Sequence, residues 1–376
     1  MPGQPPVTSH HGVIDKLQAR ALVIESGSRR LALVSLDLGR APTRESAAAI
    51  EKAARVHGVE TVFLAASHTH HGPILESDTW PTAKNSYVRE LERKIGALIG
   101  SAVADLRPAR LAIGSKESAL NRNRHTADGP VDRQLLVLRA ETQDGKPIAL
   151  VVGFAAHPTM RSVKDLRFSA DWVGVMAATV EKVIGIPCLF MQGAAGDLSP
   201  RVPAGRPGPE GFGASVAEEV LAVNKSAKLT SFGPIRSRDE SLRFDTRISL
   251  QNPLVRAGLI LAFTPDLVNF FVREYKDGIR PRLSTVVLSD RIAFVGVSGE
   301  FFASHAVNLK RRARIEHLFF VGYCNDYHQY FPTIEAAADG GYGTQNYIAP
   351  ASLGAGERIM DRALIHLYSL RGKLTE

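Results

Sequence analysis

Short apolar runs recur along the chain. Each ends in a polar or glycine-bearing stretch, and segments of helical spacing lie between many of them. Ala21-Leu22-Val23-Ile24-Glu25 and Leu31-Ala32-Leu33-Val34-Ser35-Leu36, split by Ser26-Gly27-Ser28, predict a β-hairpin. Residues 45–57 favour helix and Gly58 ends it, after which Val62-Phe63-Leu64-Ala65-Ala66 reads as a buried strand. Strand, helix and strand at this length form a βαβ unit with parallel pairing. Residues 86–106 predict an amphipathic helix with Leu91, Ile95, Leu98, Ile99 and Val103 on one face, followed by a strand at Arg110-Leu111-Ala112-Ile113. A second hairpin spans 134–154 around Gln143-Asp144-Gly145-Lys146-Pro147, and a helix at 171–183 leads into a buried strand at 187–192. The Pro- and Gly-rich stretch 201–213 predicts an irregular surface loop. A third hairpin is expected over 285–297, an apolar strand at 317–321 and a C-terminal helix at 358–370. No sequence repeat or domain boundary is evident. The expectation is one α/β domain covering 1–376, a mixed, largely parallel β-sheet flanked by helices.

The residues that follow the apolar runs carry the chemistry. They are Asp37, Ser67-His68-Thr69-His70-His71-Gly72-Pro73, Ala155-Ala156-His157-Pro158, Gly196-Asp197-Leu198-Ser199-Pro200, Ser298-Gly299-Glu300 and the stretch from Tyr323 to Tyr330. Open α/β sheets bind ligands outside the carboxyl ends of their strands, which is where these residues fall. On an extended chain residues two apart face the same side, so His68 and His70 face one site while Thr69 and His71 face away. Singly, each has a plainer origin. A His-rich surface loop is commoner than a metal site, His157 fits a hydrogen-bonded core histidine, and Gly196-Asp197 fits a tight turn. Glu300 fits a solvated hairpin end, and the aromatics from Tyr323 to Tyr347 fit packing. Taken together, two histidines and a carboxylate suit Zn²⁺ with a position left for water, and hydrolysis is the natural consequence. Ser199 is not in a Gly-x-Ser-x-Gly elbow, which weakens a serine-hydrolase reading.

Composition narrows the classes. The 376 residues are 44% hydrophobic and 22% charged, enough to bury a large core without long disordered tracts. The formal net charge of +8 is scattered, its densest cluster being Lys310-Arg311-Arg312-Arg314 at an expected helix end, so nucleic acid is not an expected partner. Cys188 and Cys324 are the only cysteines and allow neither a disulfide framework nor a cysteine zinc site. Any metal must then use His, carboxylate or phenolate. No transmembrane segment is expected, since the most apolar stretch, 254–272, is broken by Arg256 and Thr264-Pro265-Asp266. That stretch can form an apolar acyl site or touch a membrane, core packing being its plainer role. Met1-Pro2-Gly3-Gln4-Pro5-Pro6 has no basic region leading into an apolar one and is not read as a signal peptide. Compartment and oligomeric state are not readable.

The set Ser67-His68-Thr69-His70-His71-Gly72-Pro73, Asn121-Arg122, Gly153-Phe154-Ala155-Ala156-His157-Pro158-Thr159, Gly196-Asp197-Leu198-Ser199-Pro200, Gly299-Glu300-Phe301 and Asn325-Asp326-Tyr327-His328-Gln329-Tyr330-Phe331-Pro332-Thr333-Ile334-Glu335 resembles the neutral, non-lysosomal ceramidases, in that family's order from about Gly12 to Gly343. The resemblance implies a zinc amidase that cleaves an N-acyl bond by metal-activated water and acts in lipid metabolism on a small sphingolipid-like or other N-acylated substrate. It places zinc ligands at His68, His157, Glu300 and Tyr330, and substrate-orienting or catalytic groups at His70, Arg122, Ser199 and Tyr342. His71 stands where the family has Ser, and Ala336-Ala337 where it has Glu and Tyr. No counterpart of the C-terminal immunoglobulin-like domain is expected, nor of an N-terminal edge strand. A zinc esterase or lactonase is the neighbouring alternative, and a non-catalytic zinc- or carbohydrate-binding relative the alternative of another class.

Overall fold

A computed structural model describes residues 11–76 and 86–375; the reading of Met1 to Pro6 lies outside them. In chain order, β1 (Ala19–Ser26) and β2 (Arg29–Leu36) form the first hairpin, and α1 (Arg44–Val56) leads to β3 (Thr61–Ala66). Thr43 starts α1 as a side-chain cap, its hydroxyl accepting from Ser46 N. β3 is buried throughout and pairs parallel to β2. α2 (Ser86–Ala104), β4 (Ala109–Glu117) and β5 (Asn121–Asn123) follow.

The same sequence of elements then appears twice more. β6 (Gln134–Thr142) and β7 (Pro147–Phe154) are an antiparallel hairpin, α3 (Asp171–Ile184) crosses over, and β8 (Cys188–Gln192) pairs parallel to β7. β9 (Leu198–Pro200), α4 (Gly208–Ser226), β10 (Lys228–Thr230), β11 (Arg236–Ser241), α5 (Pro253–Ala262) and α6 (Pro265–Glu274) intervene. β12 (Arg282–Val287) and β13 (Ile292–Val297) form the third hairpin, followed by the short β14 (Glu300–Phe301) and α7 (Ala303–Ala313). β15 (His317–Val321) returns parallel to β13, and β16 (Tyr330–Phe331), α8 (Ile334–Asp339) and α9 (Ala355–Leu370) complete the chain.

Hairpin, helix, parallel strand is thus a unit used three times. The sheets are β1-β2-β3, β10-β4-β6-β7-β8 and β11-β12-β13-β15, with β14-β16 and β5-β9 as two-stranded additions. They are mixed, and the expected largely parallel character is met only loosely. Tight turns force each hairpin antiparallel, and among the named strands of the described residues parallel pairing occurs at the strand after each crossover and at β14-β16. β8 packs against β2, β3 and β15, which brings the exits of the three units together. Phe294 ties two of them, stacking on Phe319 at 4.5 Å and meeting the edge of Phe63 at 6.2 Å. Burying each such ring is worth roughly 2–3 kcal/mol.

Two stretches are resolved further than their pattern allowed. The loop expected over 201–213 ends at Pro207, where α4 begins with Pro in its first turn. The apolar stretch 254–272 divides at Thr264-Pro265 into α5 and α6, Thr264 capping the second. No helix among the described residues is long and apolar enough to cross a membrane.

Candidate metal centre

β3 ends at Ala66, but backbone pairing to the chain after β2 continues: Ser67 N donates to Leu36 O (2.8 Å) and His68 N to Leu38 O (2.9 Å). At His68 φ is +68°, the left-handed region that costs a residue with a Cβ about 1–2 kcal/mol. Nearby tertiary bonds hold it there. His68 Nδ1–H donates to Gly39 O at 2.6 Å, and His157 Nδ1–H donates to Ala195 O at 2.6 Å. A carbonyl only accepts, so both Nε2 atoms present lone pairs. These lone pairs face each other at 3.2 Å. Glu300 Oε2 lies 3.4 Å from His68 Nε2 and 3.2 Å from His157 Nε2, and His70 Nε2 is 3.2 Å from His68 Nε2.

The lone pairs of His68, His157 and Glu300 in such proximity repel one another unless a cation sits among them. Ligands at zinc bond lengths on a tetrahedral ion lie about 3.4 Å apart, and these contacts match that spacing. The donor set fits Zn²⁺. Tyr330 enters from the strand pair that carries Glu300, the two being register partners in β14-β16. Arg124 Nη2 is shared by Tyr330 Oη (3.2 Å), His157 Nε2 (3.1 Å) and Gly196 O (2.8 Å), so the phenol lies beside the histidine. Burial, then the positive charge of Arg124, pushes His157 down to about 3 and keeps it neutral.

Two phenols also hold the Glu300 carboxylate, one at each oxygen. Tyr323 Oη donates to Oε2 at 3.3 Å and Tyr327 Oη donates to Oε1. Burial, then Glu300, pushes both phenols well above their normal range, which keeps them as donors. Tyr323 also stacks on His68 with ring centroids 4.2 Å apart. Arg40 lies 4.8 Å over the Tyr327 ring and pairs with Glu76 at 2.9 Å. Gln192, fully buried at the end of β8, donates to Ser67 O (3.1 Å) and Ala156 O (2.9 Å) and accepts from Ala156 N (3.2 Å), locking two strand exits together. Asp197 binds Asn123 Nδ2 and Ala303 N and is pushed up to about 6 by burial. At Gly196 a Cβ would sit 2.8 Å from Glu300 O, so only glycine permits this approach of the two strand exits.

The structure brings together His68, His70, His157, Glu300 and Tyr330 from the residues the sequence singled out. Tyr342 stands at the rim, 45% exposed, its ring 5.7 Å from Tyr330. Ser199, in β9 and paired with Arg122 of β5, is partly exposed. Arg122 is exposed and outside the group. Asn-Arg occurs twice in Asn121-Arg122-Asn123-Arg124, and the structure places the second arginine at the centre. His71 turns away, its Nε2 meeting Ser162 O at 3.1 Å. Asp37 lies apart, accepting from Gln18 N and pairing with Arg20. Tyr323 and Tyr327, which fit packing when taken singly, share the Glu300 carboxylate, a role that their spacing along the chain does not signal.

No family model matches the chain. It is 30% identical over 228 residues to the neutral ceramidase of Pseudomonas aeruginosa, a match covering 51% of this chain and 33% of that protein. The crystal structure of the Pseudomonas aeruginosa neutral ceramidase superposes with a TM-score of 0.77 at 21% identity, covering 97% of this chain and 70% of the other. A second structure, a ceramidase complexed with C2, gives 0.75 at 21% identity over 96% of this chain and 71% of that one. The chain is therefore a homologue of neutral ceramidase across half its length, and across nearly all of it has the neutral ceramidase fold.

Proposed function

We propose that this protein is a zinc-dependent hydrolase that cleaves carboxylic amide bonds of N-acylated, lipid-like small molecules. The observation that carries it is the convergence of the electron-pair donors of His68, His157 and Glu300, with Arg124 and Tyr330 beside them. His68, His157, Glu300 and Tyr330 would hold the metal. Zn²⁺ there supplies Lewis acidity, making water nucleophilic near neutral pH and polarising a carbonyl.

The remaining steps belong to side chains. His70 is exposed on its outer face while its Nε2 sits in the poorly solvated centre. That desolvation, then His68 and His157, holds it well below its ordinary value. A neutral imidazole accepts the proton of the attacking water at Nε2 and returns it to the leaving amine nitrogen. Arg124, with Tyr342 at the rim, stabilises negative charge developing on the carbonyl oxygen. The partly exposed Ser199 supplies a hydroxyl to orient the substrate. An apolar hollow lined by Leu259, Phe263, Leu267 and Phe271, bordered by Arg40 and Gln329, suits an acyl chain.

The test is metal analysis coupled to a panel of N-acyl amides and esters of varied chain length. We expect about one equivalent of zinc at this centre, lost in His68→Ala and His157→Ala, and loss of both metal and turnover in Glu300→Gln. Full activity in Glu300→Gln removes this carboxylate from the mechanism. Turnover of esters with none of amides moves the assignment to an esterase.

A further inference from the structure

A second group of donors lies outside this centre, where the end of α6 meets the loop leading to β16. Glu274, Asp326 and His328 place their ligand atoms within 4.8 Å of one another. His328 is fully buried, and neither ring nitrogen has a hydrogen-bond partner. Its Nε2 lies 3.1 Å from Asp326 Oδ2, yet without the alignment a donated N–H requires. That is the relation of two ligands of one centre, the same close contact seen between His157 and Glu300. Tyr275, next to Glu274, adds a buried hydroxyl with no partner, its ring 5.7 Å from that of His328. Among the described residues the ion-pair partner of Glu274 is Arg44, which is half-exposed and pairs with Oε2 at 3.0 Å. One exposed guanidinium leaves buried carboxylate charge and a buried imidazole unmatched.

We propose that Glu274, Asp326 and His328, with the Tyr275 hydroxyl beside them, form a second metal site for a divalent first-row transition cation of the Zn²⁺ or Mn²⁺ class. An imidazole among the donors favours these ions over Ca²⁺ and Mg²⁺, which take oxygen ligands. Its place in the fold gives it a task. Tyr327, which holds Glu300, lies between Asp326 and His328, and the residues bounding this segment, Asn325 and Gln329, have φ of +59° and +62°. A cation tying the segment to α6 holds a strained loop in the conformation that presents Tyr327 to Glu300. Tyr327 and His328 thereby serve neighbouring centres from one turn of chain.

The experiment is metal stoichiometry of the chelator-treated full chain, re-titrated with Zn²⁺ and Mn²⁺ and with Ca²⁺ and Mg²⁺ as comparators. Wild type should take up about two equivalents of Zn²⁺. His68→Ala/His157→Ala should keep about one, and adding Glu274→Gln and His328→Gln should abolish it. Retention of that equivalent in the folded quadruple variant, its absence from the double variant, or preference for Ca²⁺ or Mg²⁺ overturns the proposal. If the quadruple variant does not fold, Glu274→Gln alone decides: affinity at this site should fall at least tenfold, and unchanged affinity overturns the assignment. An equivalent that survives His68→Ala/His157→Ala but is lost in Glu274→Gln leaves this site standing whatever becomes of the first.

Discussion

Side chains two positions apart can have unrelated roles, and the pair Arg122 and Arg124 is the clearest case. Strand alternation exposes Arg122, while Arg124, past the end of β5, reaches His157 and Tyr330. Arg124→Met should lower kcat by about a hundredfold or more, in the range of a lost oxyanion donor, whereas Arg122→Met should stay within about twofold of wild type. Steady-state kinetics on both variants checks this, and equal losses would refute the separation. The histidines and Glu300 were legible because a metal-binding residue type sat at the end of each apolar run. The geometry that orients them was not. His68 and His70 were expected to face one way through strand alternation, yet β3 has already ended and the left-handed turn at His68 sets the direction. Backbone conformation of that kind depends on tertiary bonds such as that from His68 N to Leu38 O, which no local pattern encodes.

Single strands and helices were placed well by apolar periodicity, since β3, β8, β13 and β15 are short, fully buried and flanked by turn residues. The threefold use of hairpin, helix and parallel strand went unseen, because it is a repetition of topology that leaves no common residues to align. What joins these units is also invisible to periodicity: single buried polar side chains bridge them. Gln192 serves the exits of β3 and β7, and Asn325 accepts from Leu64 N and donates to Val62 O along β3. Gln192→Leu keeps the volume but strands the carbonyls of Ser67 and Ala156 without donors, at a cost of roughly 2–4 kcal/mol. Urea unfolding should show that loss, accompanied by at least tenfold weaker zinc binding from the misaligned histidines. Stability that falls with metal affinity intact would confine Gln192 to a structural role.

Across the whole molecule, buried acids give stability a dependence on pH that composition does not convey. Asp37 is pushed up to about 6 by burial, which outweighs Arg20 and the bond from Gln18 N. Its unfolded value is near 4, so between those values the folded state binds more protons. The stability that Asp37 contributes is complete below about pH 4 and is lost as pH rises through 6. Asp37→Asn, which cannot ionise, should gain on wild type by up to about 3 kcal/mol between pH 4 and pH 7 in parallel urea titrations. A constant difference would contradict the raised value.

Meeting of the three unit exits has a bearing on how the protein matures. His68 and His157 stand 89 residues apart, and Glu300 joins them from the third unit, so no locally folded fragment contains the centre. Contacts between residues so distant along the chain close late, because each requires a long loop to be ordered first. On the proposed reading, metal capture at this centre would then be a terminal event, following the docking of every unit.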